Sequence, residues 1–176
     1  MKLVECVPNF SEGRDLGKIK TITDAISGVD GITILDVDPG ADTNRTVVTF
    51  VGEPATVLEG AFQGIKEASM LIDMSNHTGT HPRIGATDVC PLIPIKNITM
   101  DECVEHSHEL AERVGAQLKI PVYLYEYSAK NPDRKNLANI REGEYEDLEK
   151  KLNDKSWKPD FGPSAFNAFS GATVIG

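Results

Sequence analysis

The fold is decided by two consecutive stretches rich in β-branched residues, Ile32-Thr33-Ile34-Leu35-Asp36-Val37 and Arg45-Thr46-Val47-Val48-Thr49-Phe50-Val51. Both are typical of strands, and Asp38-Pro39-Gly40 closes the first. Because the connection is short, the two strands are expected to pair as an antiparallel hairpin. A strand-like stretch, Leu3 to Pro8, and a helical pattern precede the hairpin. A second helical pattern and a fourth strand, Thr87 to Ile95, follow it.

Both helical patterns have clear boundaries. Asp15 can cap the first helix and Gly28 ends it, while Gly52-Glu53-Pro54 starts the second. The resulting order is βαββαβ. With right-handed crossovers and a central hairpin, this order predicts an antiparallel sheet with both helices on one face, the ferredoxin-like split βαβ. The other face of that sheet must be covered by something else.

The remaining residues extend this unit. Thr99 and Glu102 form a capping box for a third helix over 100–118, and Pro121 to Tyr127 predicts a fifth strand. A sparse helical pattern then runs to about residue 154. We therefore predict one domain, 1–176, of the α+β class: a ferredoxin-like sandwich with an antiparallel or mixed sheet, helices on one face, and an extra C-terminal helix and strand.

Composition excludes several classes of protein. The chain has 176 residues, a formal net charge of −9 and a pI of about 4.9, which argues against a nucleic-acid partner. No apolar run approaches the roughly 20 residues of a membrane span, so no membrane partner and a cytoplasmic location are expected. Cys6, Cys90 and Cys103 are too few for a disulfide framework and are expected to be buried thiols. The final run, Ser170 to Gly176, turns apolar, which suggests a part of a longer protein.

The candidate chemistry centres on Asn76-His77-Thr78-Gly79-Thr80-His81-Pro82-Arg83-Ile84-Gly85. Histidine takes and gives protons near neutral pH, so His81 is a candidate general acid/base. The alternative is a loop histidine that only hydrogen-bonds the backbone. His77 and His81 have a metal-like spacing, but Gly79 and Pro82 oppose a helix here, and we predict no metal site. Cys103, His106 and His108 form an equally weak second cluster.

A catalytic histidine needs a group that holds its ring. Asp38 and Asp88 are both candidates, since the end of the second strand and the loop before the fourth can meet at one end of the sheet. Asp38 is otherwise a plain turn residue. Arg45 and Arg83 are candidates for binding a substrate carboxylate, although Arg45 could instead form a surface ion pair with Asp42.

A last candidate is the stretch Asp160 to Gly171, which places three phenylalanines among Gly, Ser and Asn. Aromatic residues on such a backbone can line a slot for a flat heteroaromatic ring. They can equally belong to a linker whose aromatic side chains pack on the neighbouring sheet.

Eight motifs, in order and in register, resemble the N-terminal subdomain of glutamate formiminotransferase, the first part of formimidoyltransferase-cyclodeaminase. They are Val4 to Gly13, Leu35 to Asp38, Thr43 to Val47, Leu71 to Ser75, His81-Pro82-Arg83, Asp88 to Pro91, Pro121 to Tyr125 and Pro159 to Pro163. Each motif alone is weak, whereas eight in register are specific. The resemblance spans nearly the whole chain.

The resemblance implies transfer of a formimino group from N-formimino-L-glutamate to N5 of tetrahydrofolate, in histidine degradation and one-carbon metabolism. It implies His81 as the catalytic histidine and Asp38 as the carboxylate that assists it. The folate-contacting segment would consist of Gly162, Pro163, Ser164, Ala165, Phe166, Asn167, Ala168, Phe169, Ser170 and Gly171. Tetrahydrofolate would act as co-substrate, and no metal is required.

The resemblance also implies partners. The family pairs two ferredoxin-like subdomains around a folate tunnel and forms a homodimer, so a C-terminal formiminotransferase subdomain is expected to cover the bare sheet face. Whether the transferred group is formimino or formyl stays open, as does fusion to a cyclodeaminase. The alternative function is a stand-alone folate-binding or interaction module without transferase activity.

Overall fold

A mixed sheet of eight strands organises the chain in the computed structural model, which describes residues 1–176. The strands are β1 (Leu3–Cys6), β2 (Asn9–Phe10), β3 (Thr33–Gly40), β4 (Arg45–Gly52), β5 (Thr87–Cys90), β6 (Leu92–Lys96), β7 (Val122–Leu124) and β8 (Thr173–Ile175). β8 pairs in parallel with β5 and β7, and every other pairing is antiparallel.

Two of the predicted strands are interrupted by proline. β1 and β2 both pair with β4, so they are two parts of one line that breaks around Pro8. β5 and β6 are likewise separated at Pro91. Proline has no N–H to donate to a ladder, which explains both breaks. The predictions of unbroken strands over 3–8 and 87–95 were wrong in this detail.

Across the sheet, β3 is at one edge and pairs with β4. Next come the line formed by β1 and β2 and then the line formed by β6 and β5. β8 follows, and β7 is at the other edge. The predicted hairpin is present, with β3 and β4 paired from Thr33 opposite Val51 to Gly40 opposite Arg45. Along the chain, the first four lines and two helices follow the predicted βαββαβ sequence. The α+β class with a mixed sheet is therefore confirmed.

Five α-helices accompany the sheet: α1 (Leu16–Ser27), α2 (Pro54–Leu71), α3 (Met100–Arg113), α4 (Leu137–Arg141) and α5 (Leu148–Asn153). The side chain of Asp15 caps α1, and the Thr99–Glu102 capping box starts α3, both as predicted. α3 continues as a π-helical turn over Val114–Leu118. No helix is both long enough and apolar enough to cross a membrane.

The two helices of the βαββαβ unit, α1 and α2, lie on one face of the sheet as predicted, while the C-terminal helices lie on the other face. α1, α2 and α3 share a core with one face, which includes Phe10, Val48 and Phe50. α4 and α5 pack on the opposite face at β5, β8 and β7, where Tyr123 and Val174 are fully buried. Because side chains alternate along a strand, neighbouring residues of β7 and β8 enter different cores.

The predicted C-terminal helix is broken into α4 and α5. Gly143 has φ +83° and Glu144 has φ +55°, conformations that a helix cannot accommodate. The apolar run after Ser170 forms β8 inside this sheet, so its burial explains its composition. The sheet face opposite α1 and α2 has no helix over β3, β4, β1 and β6, and it exposes Asp36, Asp38 and Ile93.

Candidate active site

The loop that carries His81 lies on the turn between β3 and β4. The side-chain amide of Asn44 donates to the carbonyl of Thr78 at 3.0 Å. Gly79 comes so close to this turn that a Cβ at that position would lie 2.3 Å from the carbonyl oxygen of Thr43. Only glycine fits there. The absence of a side chain at Gly79 lets the backbone of the loop pack directly against the turn at the end of the sheet.

The imidazole ring of His81 is half-buried, and both of its nitrogens have partners. Nδ1 lies 2.7 Å from the carbonyl oxygen of Pro82, and Nε2 lies 2.7 Å from Nη1 of Arg45. A carbonyl can only accept and a guanidinium can only donate. The contacts therefore define a neutral ring with the proton on Nδ1 and the lone pair on Nε2, which is the nitrogen that faces Arg45.

Arg45 is the side chain that contacts Nε2 of His81. Its one side-chain hydrogen bond is the contact with His81, and it forms no ion pair. The alternative that Arg45 pairs with Asp42 is therefore not what the structure shows. Four of its five N–H donors are free of protein partners, so the guanidinium can receive an anion.

Asp38 lies on the same sheet face as Arg45, but it does not contact His81. In the β3–β4 register Asp38 is opposite Val47, and Gly40 is opposite Arg45. Asp38 and Arg45 are thus diagonal neighbours, which lie about 7–8 Å apart in such a pair, with their Cβ atoms somewhat closer. Asp38 is exposed and has no ion pair with the ring. The expected direct His81–Asp38 pair is not formed here, because Pro82 and Arg45 occupy both ring nitrogens.

Arg83 has a structural environment that differs from the one expected of it. The residue is buried, and its guanidinium donates to Glu146 at 2.8 and 2.9 Å and to Glu144 at 3.2 Å. The remaining donors reach Nδ1 of His77 at 2.9 Å and the carbonyl of His77 at 3.1 Å. All five N–H groups are used within the protein, so Arg83 has no donor left for a substrate carboxylate.

Asp88, the second candidate for orienting His81, holds the other end of the loop. Its side chain is fully buried and accepts from the backbone N–H of Ile84 at 2.7 Å. Its other oxygen forms an ion pair with Arg141, whose Nε lies 2.9 Å away. Burial raises the pKa of the Asp88 carboxyl, and Arg141 opposes that shift. Asp88 therefore fixes the backbone that follows His81 and not its ring.

The C-terminal half of the 162–171 segment is attached to the same loop region. The carbonyl of Ser170 accepts from the N–H of Ala86 at 2.8 Å, and the carbonyl of Ala168 accepts from the hydroxyl of Tyr145 at 2.6 Å. Because Ala86 follows His81 by only a few residues, its hydrogen bond to Ser170 places the end of the segment near the loop that carries His81.

The aromatic residues of this stretch divide between core and surface. Phe161 packs against the first core, and Phe166 packs against Tyr145 with ring centroids 5.6 Å apart. Phe169 is 41% exposed. Gly162 has φ +80° and touches Gly115, so its glycine is required by the backbone. Two of the three aromatic residues thus pack on the protein, and one is open to a ligand.

Neither of the two weak metal clusters is assembled. Both nitrogens of His77 are hydrogen-bonded, to Arg83 and to the carbonyl of Asn44. Cys103 is buried in the first core, and Nε2 of His108 lies 3.1 Å from the carbonyl oxygen of Ser128. No group of three or more His, Cys, Asp or Glu side chains could hold a metal ion.

Several residues of this site had no role from sequence alone. Asn44 is buried with φ +51° in the β3–β4 turn, a conformation that asparagine tolerates, so turn chemistry could have indicated it. His77, Glu144 and Glu146 carry no local signal. Their common partner, Arg83, is brought to the two glutamates only by the fold.

A family comparison identifies the chain. Residues 3–176 match the family model described as the formiminotransferase domain, N-terminal subdomain. The chain belongs to this family. The resemblance read from the eight motifs is thereby confirmed over almost every residue.

Curated relatives of this formiminotransferase N-terminal subdomain are similar over its whole length. A formimidoyltransferase-cyclodeaminase of Dictyostelium discoideum is 54% identical over 99% of the chain, which spans 33% of that protein. Glutamate formimidoyltransferases of Streptococcus pyogenes serotype M1 and Thermoplasma acidophilum are 47% and 49% identical over 99% and 100% of the chain. The subdomain spans 58% of the length of each of these two. It is thus shorter than the relatives it matches.

Proposed function

We propose that this subdomain acts in an enzyme that transfers a formimino group from N-formimino-L-glutamate to N5 of tetrahydrofolate, a step of histidine degradation and one-carbon metabolism. The observation that carries the proposal is His81, a half-buried neutral imidazole held in one tautomer beside an arginine with free donors. The similarity to formimidoyltransferases supports the same reaction class.

In the proposed reaction His81 moves one proton. N5 of the reduced pterin attacks the formimino carbon and forms a tetrahedral intermediate, and Nε2 of His81 takes the proton that N5 loses. The same proton then passes to the glutamate nitrogen as the bond between carbon and that nitrogen breaks. The Nδ1–H bond to Pro82 keeps the ring in place throughout. General acid–base catalysis of this kind contributes roughly 10²–10⁴-fold.

In this scheme Arg45 blocks the lone pair of His81 before substrate binds, and it then binds the substrate carboxylate. In the structure its guanidinium occupies the lone pair of His81, so Nε2 is free to take a proton only when Arg45 moves. A substrate carboxylate offers the planar, bidentate partner that draws the guanidinium away. Substrate binding and release of the base are thereby coupled. Asp38, on the same face, is proposed to stabilise the imidazolium that forms between the two steps.

The folate would lie along the segment Gly162–Gly171. Phe169 is open to stack against a pterin or a benzoyl ring, and Ser164 and Ala165 of the same segment are also exposed. The segment is joined to the His81 loop through Ser170 and Ala86, which supports a ligand that spans both. No metal takes part in the scheme.

The uncovered sheet face is where we place the partner. A C-terminal formiminotransferase subdomain packed over β3, β4, β1 and β6 would cover Asp38 and Arg45 and enclose the reacting groups. Enclosure would exclude water, which strengthens every electrostatic contact in the site. We propose that the assembled protein is a cytoplasmic homodimer of such two-subdomain chains.

Titration with tetrahydrofolate tests the function directly. Fluorescence titration is performed on residues 1–176 and on a longer version that includes whatever follows Gly176 in the gene, together with an assay for formimino transfer from formiminoglutamate. We expect folate to bind both, more tightly to the longer version, and transfer by the longer version. Binding without transfer by the longer version would favour the folate-binding module, and no binding by either would overturn the proposal.

Replacement of Arg45 tests its role in binding the donor. We expect Arg45→Ala to raise KM for formiminoglutamate roughly 10–100-fold, since a hydrogen bond to a charged group contributes about 1.5–3 kcal/mol. Arg45→Lys should recover part of the loss, because lysine supplies the positive charge but not the planar, bidentate donor geometry of the guanidinium. Arg14→Ala, an exposed arginine close to the same turn, is the control. An unchanged KM in Arg45→Ala would contradict the assignment.

A further inference from the structure

His77, which the proposed reaction does not use, joins three segments of the chain. Its Nε2 lies 3.0 Å from the carbonyl oxygen of Asn44, and its Nδ1 lies 2.9 Å from Nε of Arg83. The carbonyl must accept and the guanidinium must donate, so the ring is neutral with its proton on Nε2. This tautomer is the opposite of the one that the contacts of His81 define.

The two histidines close a ring of contacts. Asn44, which accepts from His77, is followed directly by Arg45, which donates to Nε2 of His81. The loop 77–81 connects the two histidines on the other side. Asn44 also donates to the carbonyl of Thr78 across the middle of this ring. In this structure, these contacts hold the backbone at Asn44 and Arg45 beside the loop that carries His81.

Arg83 stabilises this set of contacts through His77. Both carboxylate oxygens of Glu146 accept hydrogen bonds from the guanidinium of Arg83. Glu144, which has a strained backbone conformation with φ +55°, accepts a third. Because both glutamates keep Arg83 in place, its Nε–H stays aimed at Nδ1 of His77. A protonated His77 would present an N–H to that donor and lose the contact.

We propose that His77 is a positioning residue: in its neutral Nε2–H form it holds Asn44 and Arg45 so that Arg45 donates to Nε2 of His81 and fixes His81 as the Nδ1–H tautomer. Its meaning for catalysis rests on the proposed function, whereas its effect on the tautomer of His81 does not. Burial lowers the pKa of His77; the hydrogen bond to the carbonyl of Asn44 and the charge of Glu12 oppose this shift, and the charges of Arg83 and Arg14 add to it.

Nitrogen-15 NMR of the histidine rings tests the proposal on residues 1–176. The chain has four histidines, so each ring is assigned by comparison of single variants. Pyrrole-type and pyridine-type nitrogens have well-separated shifts, which report the tautomer directly. We expect His81 as the Nδ1–H form in the wild type and in His77→Gln, since the glutamine amide can donate to Asn44 and accept from Arg83.

His77→Phe, which keeps a ring, and His77→Ala, which removes it, both abolish the hydrogen bonds of His77 to Asn44 and Arg83. In each variant we expect the Nδ1–H tautomer of His81 to fall from the dominant form to a minority. The dispersion of the backbone amide signals should show that the protein stays folded. His106→Gln, a change on α3, is the control and should leave His81 unaltered. The proposal is overturned if His81 keeps its tautomer in both His77→Phe and His77→Ala, or loses it in His77→Gln.

Kinetics supply a second readout that separates this proposal from the proposed function. In an active longer version, His77→Ala should lower kcat by up to about 10²-fold, the loss typical of a misplaced catalytic group. KM should change little, and His77→Gln should restore most of kcat. If no version transfers the formimino group, the proposed function fails, and the NMR result alone decides the role of His77.

Discussion

His81→Ala is expected to lower kcat for formimino transfer by roughly 10²–10⁴-fold, the usual range for the loss of a general acid–base group. The proton on N5 of the folate would then have no acceptor, and the departing glutamate nitrogen would have no donor. Tetrahydrofolate should still bind with little change, because the 162–171 segment keeps its backbone contacts with Ala86 and Met74. Steady-state kinetics and a folate titration on the same sample measure the two effects separately.

The control for this experiment is His108→Ala. His108 lies on α3 and contacts the carbonyl of Ser128, so it belongs to neither the loop nor the sheet face of the site. Full activity in His108→Ala with loss in His81→Ala would assign the chemistry to His81. Wild-type turnover by His81→Ala would remove the central residue of the proposed mechanism.

The second large effect is expected from Asp88→Ala, which should lower the free energy of unfolding by roughly 3–5 kcal/mol, as when one partner of a buried ion pair is removed. The side chain of Asp88 is 2% exposed and that of Arg141 is 14% exposed. The substitution would leave the guanidinium of Arg141 buried without its counter-charge. It would also leave the N–H of Ile84 without an acceptor. Urea denaturation followed by circular dichroism measures the change.

Asp24→Ala provides the matched control, since Asp24 pairs with Lys20 on the exposed face of α1. Exposed pairs of this kind contribute little, so its unfolding midpoint should stay close to that of the wild type. Equal losses in the two variants would show that burial of the Asp88–Arg141 pair has no special weight. Because Ile84 follows the His81 loop, a folded Asp88 variant should also show reduced transfer.

Short-range patterns predicted most of the elements. Asp15, Gly28, Thr99 and Glu102 mark helix ends through contacts with residues at most four positions away, and these boundaries are as expected. The hairpin of β3 and β4 was predicted for the same reason. The errors arose where proline broke a strand, as at Pro91, or where a positive φ broke a helix, as at Glu144.

The candidate site was predicted less completely. The sequence pointed to His81 as the candidate acid–base group and to Arg45 as a nearby cation, and the structure brings the two together. It also suggested Asp38 as the direct partner of the ring and Arg83 as a free cation. Register places Asp38 beside Arg45 instead, and two glutamates more than 60 residues away take up Arg83.

The sequence by itself determined the family, the α+β class, the helix caps and the loop that holds the acid–base candidate. These depend on residue identity and on neighbours along the chain. Only the tertiary structure decided the tautomers of His77 and His81, the burial of Arg83 and the second core. Each of these depends on groups that are far apart in sequence and become neighbours only when the sheet register and the packing of the helices are set.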